Sequence, residues 1–310
     1  MVGVTVVAGL AGQHVEVEGR ELRLTNLDKL LWPEDGIRKA DLIDYYLKVA
    51  DVLLPHLRGR PLTLTRYPDG ITGGSFYQKD RPEHAPEWIR TYPYRGEGHV
   101  IRFVLAEERA TLAWLGNQAC LEIHPAPWQV SHPDLPDRLV IDLDPAPPAT
   151  FEDVRRAAVM VRTLLEQLGV RGFPKTSGAT GIHVFIPLVP DAGPEEVTRV
   201  AETLARVLRA ARPDLITLER AVRNRTGKVY VDYLQNARGK TMVAPYSPRA
   251  LPGAPVSAPF AWDELEHVLP REFTIRTLPD RLARRGDLAA GLLGAGHRLS
   301  DLAGRLRGVH

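Results

Sequence analysis

Apolar and polar residues alternate over 14–20, where Val15 and Val17 are set between His14, Glu16 and Glu18, and Gly19 offers a turn. This predicts a short β-rich lead-in over residues 1–23. Over 39–54, Leu42, Tyr45, Tyr46, Val49, Val52 and Leu53 recur at helical spacing and predict one helix. Strands are expected over 61–67 and 120–124, the second stopped by Pro125, with a turn at Pro68-Asp69-Gly70 and a helix over 109–120. From Leu139 the pattern becomes more regular. A strand over 139–144 leads to a helix over 151–168, with Thr150 as N-cap, Asp153 at the capping-box position and Gly169 as terminator. Residues 173–176 read as extended, 177–181 as a tight loop and 182–188 as a strand. Pro194 opens a helix that runs to Ala211, and 228–234 is a further strand. The order β-α-β-β-α-β is the split βαβ arrangement, which puts the first and last of these strands in one sheet.

Composition adds limits. The chain has 310 residues, 44% of them apolar, enough for one large domain or two modest ones. No apolar run approaches the length of a membrane span, and the first twelve residues have no basic flank or cleavage site of a signal peptide, so a cytoplasmic protein fits. The single cysteine, Cys120, excludes an internal disulfide and a cysteine-built metal centre. A net charge of +2 neither requires nor excludes nucleic acid, because clustering of charge decides phosphate binding.

The candidate chemistry centres on Leu139-Val140-Ile141-Asp142-Leu143-Asp144-Pro145. In a strand Asp142 and Asp144 share a face, and Ile141 and Leu143 take the other. Two adjacent carboxylates repel unless a cation sits between them, and hard oxygen donors suit Mg²⁺ or Mn²⁺. A strand that simply ends in a polar turn would look the same. A third acid, Asp232, lies in Val229-Tyr230-Val231-Asp232-Tyr233-Leu234, where Val229, Val231 and Tyr233 are expected on one face and Asp232 on the other. Pairing of this strand beside the first would bring three carboxylates together, enough for two divalent ions. The loop Ser177-Gly178-Ala179-Thr180-Gly181 with His183 offers backbone and side-chain donors to phosphate, or else is a glycine-rich hairpin turn. Arg238, Lys240 and Arg249 follow Asp232, as a triphosphate would require. Arg281, Arg284, Arg285, Arg298, Arg305 and Arg307 mark a basic tail, expected to be helical and packed on the body, after a helix over 262–269.

Residues 24–46, 73–79, Glu122-Ile123-His124, Asp142-Leu143-Asp144, 177–183 and 232–249, taken in order, resemble the polymerase domain of bacterial DNA ligase D. That domain is a member of the archaeo-eukaryotic primase superfamily acting in non-homologous end joining. The resemblance spans residues 20–270. It implies an α+β primase-polymerase fold: an RNA-recognition-motif-like (split βαβ) catalytic core over 136–250, packed on an N-terminal α/β module over 24–135. A link and basic helical tail over 251–310 complete one catalytic domain. It implies that Asp142, Asp144 and Asp232 hold two divalent ions, Mn²⁺ or Mg²⁺ with Mn²⁺ favoured, and that Ser177, His183, Lys240 and Arg249 hold a nucleoside triphosphate. His124 would lie by the ribose, Phe76 and Tyr77 would stack on a base, and Gln235 would lie close to the active site. Asn26, Lys29 and Lys39 resemble the pocket for a downstream 5′-phosphate, and Arg66 and Lys79 look like further DNA contacts. The family often carries lysine where this chain has Thr180, which removes one phosphate contact.

The reading that follows is a template-dependent polymerase adding nucleotides, preferably ribonucleotides, at DNA ends and short gaps bearing a 5′-phosphate. It would act on NTP and dNTP, with Ku and a separate DNA ligase as the partners such a role brings in. No ligase or nuclease domain fits in the remaining residues, so a stand-alone polymerase or an excised domain is expected. The alternatives are a de novo primase, a non-catalytic DNA-end bridging module, and a metal-dependent nuclease. The absence of zinc-ligand spacing leans against the first, the three acids against the second, and the phosphate-binding cations against the third.

Overall fold

The computed structural model describes residues 5–9, 12–96 and 98–308, with side chains from residue 13 onward. Of the expected lead-in, residues 1–4, 10 and 11 lie outside the described residues. The chain divides into two compact units. The first comprises 1–125, 246–256 and 273–286, and the second comprises 126–245, 257–272 and 287–310.

The first unit opens with an antiparallel sheet of β1 (Thr5–Gly9), β2 (Gly12–Val17) and β3 (Arg20–Leu24), in which β2 and β3 form the hairpin expected around Gly19. A small pair follows, β4 (Leu30–Trp32) and β5 (Ile37–Arg38). The helix expected over 39–54 is two helices, α1 (Lys39–Lys48) and α2 (Ala50–Leu57), because Val49 leaves helical geometry at φ −97°, ψ 3°. The apolar spacing runs on through the break, so periodicity alone reads it as continuous. Tyr45 and Tyr46 are both buried, and their hydroxyls donate to the carbonyls of Tyr246 at 2.7 Å and Cys120 at 2.9 Å. Strands β6 (Leu62–Arg66), β7 (Phe76–Gln78), β8 (Thr91–Arg95) and β9 (Val100–Val104) precede α3 (Arg109–Asn117), and β10 (Cys120–Pro125) closes the run. They form a sheet of order β10-β6-β9-β8, with β7 also paired to β6. The returning segments join this unit through backbone bonds of their own: Val256 donates to the Phe273 carbonyl at 2.7 Å and Ile275 to that of Ala254 at 3.1 Å. A helix over Leu278–Arg285 follows, and Arg281 stacks 4.4 Å from the Phe273 ring centre.

The second unit contains β11 (Arg138–Pro145), α4 (Phe151–Gln167), β12 (Phe173–Thr176), β13 (Ile182–Pro187), α5 (Pro194–Ala211), a two-residue β14 (Ile216–Thr217) and β15 (Val229–Val231). The sheet order is β12-β13-β11-β15-β14, so the split βαβ arrangement is present, with β14 added in parallel at the edge. Local chemistry sets the helix ends. The Asp153 carboxylate accepts from the Thr150 amide at 2.8 Å, and Gly169 takes φ 61° as α4 ends, with Val170 donating back to Leu165. Leu139, Ile141 and Leu143 of β11 and Ile182, Val184 and Ile186 of β13 are all buried on the face that meets α4 and α5. Asp142 and Asp144 point to the opposite face. Burying six aliphatic side chains contributes roughly 1.5–3 kcal/mol each, and it fixes which face the aspartates take, since a one-residue slip would reverse them.

Two expectations need correction here. The strand expected over 228–234 stops at Val231. Asp232, at φ −85°, ψ 83°, begins a 3-10 turn over Tyr233–Asn236, so Tyr233 does not continue the strand face. The helix expected over 262–269 is only a 3-10 turn, Trp262–Glu264, anchored by the Trp262 indole donating to the Gly172 carbonyl at 2.8 Å. The basic tail is helical as expected over Leu278–Arg285 and Leu299–Leu306, and Arg305 packs back to donate to the Leu168 carbonyl at 2.6 Å.

Candidate active site

In the second unit, the register of β11 organises the polar face. Leu143 pairs with Val231 and Asp144 with Tyr230, while the Asp232 amide donates to the Asp142 carbonyl at 2.9 Å. The backbones of all three aspartates therefore adjoin, two on β11 and the third at the first residue after β15. β15 is short, and Asn236 takes over its place as a ladder partner. Its side-chain carbonyl accepts from the Val140 amide and its NH₂ donates to the Val140 carbonyl, both at 2.8 Å. Buried and doubly bonded, Asn236 fixes the turn that carries Asp232.

The carboxylates are held differently. Asp142 is buried and lies 3.4 Å from His183 Nε2, and Asp144 is half-buried. The Asp232 carboxylate accepts from the Tyr230 hydroxyl and the Leu234 amide at 3.1 Å, and from the Gln235 side chain at 3.2 Å. Burial and the Asp232 charge push the Tyr230 phenol up to about 12. Carboxylate oxygens are the donors a hard divalent ion prefers, so the set fits such an ion in chemistry. Among the described residues, however, no group of three or more His, Cys, Asp and Glu side chains is gathered at ligand spacing. The Asp232 carboxylate is engaged within its own turn, where it accepts from the Leu234 amide and the Gln235 side chain.

The serine-glycine loop is also more self-contained than its composition suggests. Ser177 Oγ accepts from the amides of Ala179 at 3.1 Å and Gly181 at 3.0 Å, so those two amides serve the loop. Thr180 and Lys240 are exposed. Arg238 pairs with Glu195 at 3.1 Å and Asp134 at 3.5 Å. Gly181 packs against the acidic strand: a Cβ there would stand 2.3 Å from the Leu143 carbonyl oxygen and 2.9 Å from Asp144 Oδ1. Gly181→Ala is expected to force β13 from β11 and cost about 2 kcal/mol or more. Thermal unfolding reads this, and an unchanged midpoint would contradict it.

In the first unit, Lys29, Lys39 and Arg66 form a cationic group. Lys39 is buried, and its ammonium donates to the Asn117 carbonyl at the end of α3 at 3.1 Å. Burial first, and then the charges of Lys29 and Arg66, bring its pKa down to about 8. Lys29 pairs with exposed Asp69 at 2.6 Å. Asn26, exposed at φ 50°, turns the chain so that its carbonyl accepts from the Lys29 amide at 3.0 Å. Arg66 is fixed by Gln118 and Gln78 at 2.8–2.9 Å and lies 5.2 Å from the Phe76 ring centre. Phe76 and Tyr77 are exposed, Tyr77 at 72%, and Lys79 is exposed as well. As neighbours on a strand the two rings face opposite sides of β7: Phe76 lies by Arg66, and the Tyr77 ring centre is 6.5 Å from that of His124.

His124 and Arg249 also belong to the first unit, and both engage Glu122, a residue the sequence reading left without a role. Glu122 Oε2 lies 3.2 Å from His124 Nε2, and Oε1 accepts from Arg249 Nε at 3.0 Å and the Ala250 amide at 3.1 Å. Burial alone would raise the Glu122 carboxyl. The His124 hydrogen bond and the Arg249 charge outweigh it and hold the carboxyl at about 2. Lys175, in the second unit, is the other residue missed. It lies 2.8 Å from His183 Nδ1 and is almost wholly buried. Its position two residues before the serine-glycine loop was the available signal.

The split βαβ sheet, with two aspartates on β11 and a third just after β15, is shared with the primase-polymerase class of nucleotidyltransferases. The family model for the LigD primase-polymerase domain matches residues 38–289. The chain is 39% identical over 276 residues to the bifunctional non-homologous end joining protein LigD of Bacillus subtilis, covering 88% of this chain and 44% of that protein. It is 36% identical over 273 residues to the multifunctional LigD of Mycolicibacterium smegmatis, covering 87% and 36%. A solved polymerase domain of Mycobacterium tuberculosis ligase D in complex with DNA superposes with a TM-score of 0.83 at 35% identity, covering 89% of this chain and 99% of that one. The chain belongs to the LigD primase-polymerase domain family. It spans less than half the length of these curated relatives. Membership in a polymerase family implies use of a divalent metal and a nucleoside triphosphate. No helix among the described residues is long and apolar enough to cross a membrane.

Proposed function

We propose that this chain is a template-dependent polymerase that adds nucleotides, preferably ribonucleotides, at DNA ends and short gaps during non-homologous end joining. The single observation that carries the proposal is the backbone juxtaposition of Asp142, Asp144 and Asp232 on β11 and the turn after β15. These residues would hold divalent ions, Mn²⁺ or Mg²⁺. Such ions, when bound, supply a lowered pKa at the primer 3′-hydroxyl and charge neutralisation at the triphosphate. Asp232 would exchange its bonds to Gln235 and Tyr230 for that role. Ser177, His183 and Lys240 would bind triphosphate oxygens.

In the first unit, Lys29 and Lys39, with the Asn26 turn, would take a DNA 5′-phosphate, and Arg66 and Lys79 would take further backbone phosphates. Phe76 and Tyr77 would stack on a base, a contact worth about 1–3 kcal/mol. The family resemblance assigns His124 and Arg249 to the nucleotide, and Glu122 orients both. Work at DNA ends would place the protein on the nucleoid, with Ku and a separate ligase as partners.

The test is extension of a labelled primer on a gapped, 5′-phosphorylated duplex with Mn²⁺, comparing ribo- and deoxyribonucleotides. Extension that needs a primer and is faster with ribonucleotides supports the reading. Synthesis without primer would make it a primase. Shortened DNA would make it a nuclease, and binding without synthesis a bridging module.

A further inference from the structure

Three neighbouring strands of the second unit carry one row of polar side chains. Asp142 of β11 is the cross-strand partner of His183 in β13, and His183 is the partner of Lys175 in β12. All three sit at 4% exposure or less. His183 bridges the other two, with Nδ1 2.8 Å from Lys175 Nζ and Nε2 3.4 Å from Asp142 Oδ1. Lys175 also bonds Ser257 Oγ, and Ser257, wholly buried, donates its own proton to the Thr176 carbonyl at 2.8 Å.

These partners set the direction of every bond in the row. Ser257 spends its hydrogen on Thr176, so its oxygen accepts from Lys175. An ammonium has donors and no acceptor, so Lys175 donates to His183 as well, and Nδ1 must be the unprotonated nitrogen. The ring proton is then on Nε2, which faces Asp142. With the opposite tautomer, Nε2 would turn a lone pair toward a buried carboxylate, and Nδ1–H would face an ammonium.

We infer that Lys175 is a positioning residue for His183: it holds the ring with Nδ1 accepting and Nε2–H presented to the face that carries Asp142 and Asp144. There Nε2–H faces the Asp142 carboxylate 3.4 Å away in the free protein and would be the fixed donor to a triphosphate oxygen during turnover. The second half of this statement rests on the polymerase reading, whereas the tautomer does not.

The test is long-range ¹H–¹⁵N spectroscopy of the ¹⁵N-histidine-labelled chain at neutral pH, with His183 assigned through His183→Gln. In the wild type, Nδ1 is expected at the shift of an unprotonated ring nitrogen and Nε2 at that of a protonated one. Lys175→Met, which keeps the length and removes the donor, is expected to lose this preference. Lys175→Gln, whose amide can still donate, is expected to retain it in part. In nucleotide titrations of primer extension, Lys175→Met is expected to raise KM about tenfold with kcat little changed, the loss of about one charge-assisted hydrogen bond. A wild-type spectrum with Nδ1 protonated overturns the inference, and that spectrum suffices even if the methionine variant does not fold. An unchanged tautomer in a folded Lys175→Met overturns it too. A wild-type chain inactive with every nucleotide would remove the polymerase reading instead, and the tautomer would still decide the role of Lys175.

Discussion

Asp142→Asn is expected to abolish primer extension, by about three orders of magnitude or more, since removing a charged metal ligand forfeits several kcal/mol of transition-state stabilisation. Asparagine has the shape of aspartate, and His183 keeps its bond to Lys175, so the buried row across β11, β13 and β12 keeps its packing. The change is therefore electrostatic with little repacking, and the melting temperature should stay within a few degrees. Binding to gapped DNA should stay within about threefold, because phosphate contacts and stacking dominate that affinity and the candidate DNA residues lie elsewhere in the chain. Primer extension and fluorescence anisotropy on the same preparation make the comparison. Extension at the wild-type rate would sink the metal assignment, and loss of DNA binding in parallel would mean that Asp142 acts through the fold.

Lys29→Ala combined with Lys39→Met is expected to remove the preference for a 5′-phosphate, a loss of about 100-fold in the ratio of affinities for 5′-phosphate and 5′-hydroxyl gaps. Two charge-assisted hydrogen bonds at about 1.5–3 kcal/mol each can supply at least that. The low pKa of Lys39, about 8, gives the prediction a pH dependence. Phosphate selects the ammonium, so from pH 7 to 9 the free protein loses the proton that binding needs, and the phosphate preference should weaken. The same shift acts oppositely on the fold. The folded value lies below the ordinary lysine value of 10.5, so the unfolded chain holds the proton more tightly and stability rises with pH between 8 and 10.5. Lys39→Met should thus unfold at a higher temperature than the wild type while losing phosphate discrimination. An equal phosphate preference in the double variant would refute the pocket. A lower melting temperature would mean that the bond from Lys39 to the end of α3 outweighs the burial of its charge and the neighbouring charges of Lys29 and Arg66.

The parts of this molecule that could be read from the sequence were those encoded locally. β11 is an apolar run with two acids at strand spacing. Pro194 and Thr150 mark helix starts, and the order of strands and helices fixes the order of the sheet. What stayed hidden depends on one dihedral angle or on register. The break at Val49 interrupts no apolar pattern. The early end of β15 follows from a carboxylate that bonds its own backbone, a competition invisible in β propensity. Lys175 meets His183 only because β12 and β13 pair in one register, and neither strand specifies that alone. Glu122 was visible only as part of a motif, and its role appears once the returning segment brings Arg249 and Ala250 to it.

That returning segment bears on how the chain can be made. Each unit is assembled from three separate stretches: the first needs residues 246–256 and 273–286, and the second needs 257–272 and 287–310. A ribosome that has released the first 125 residues has released no complete unit. The hydroxyl of Tyr45 waits for the carbonyl of Tyr246, 201 positions later, and Lys175 waits for Ser257. Contacts of such span slow folding, and nascent apolar surface stays uncovered until synthesis is nearly complete. Fragments cut at residue 125 or 245 should therefore aggregate where the whole chain folds, and an insertion in the 246–256 return should harm expression more than one in an exposed loop.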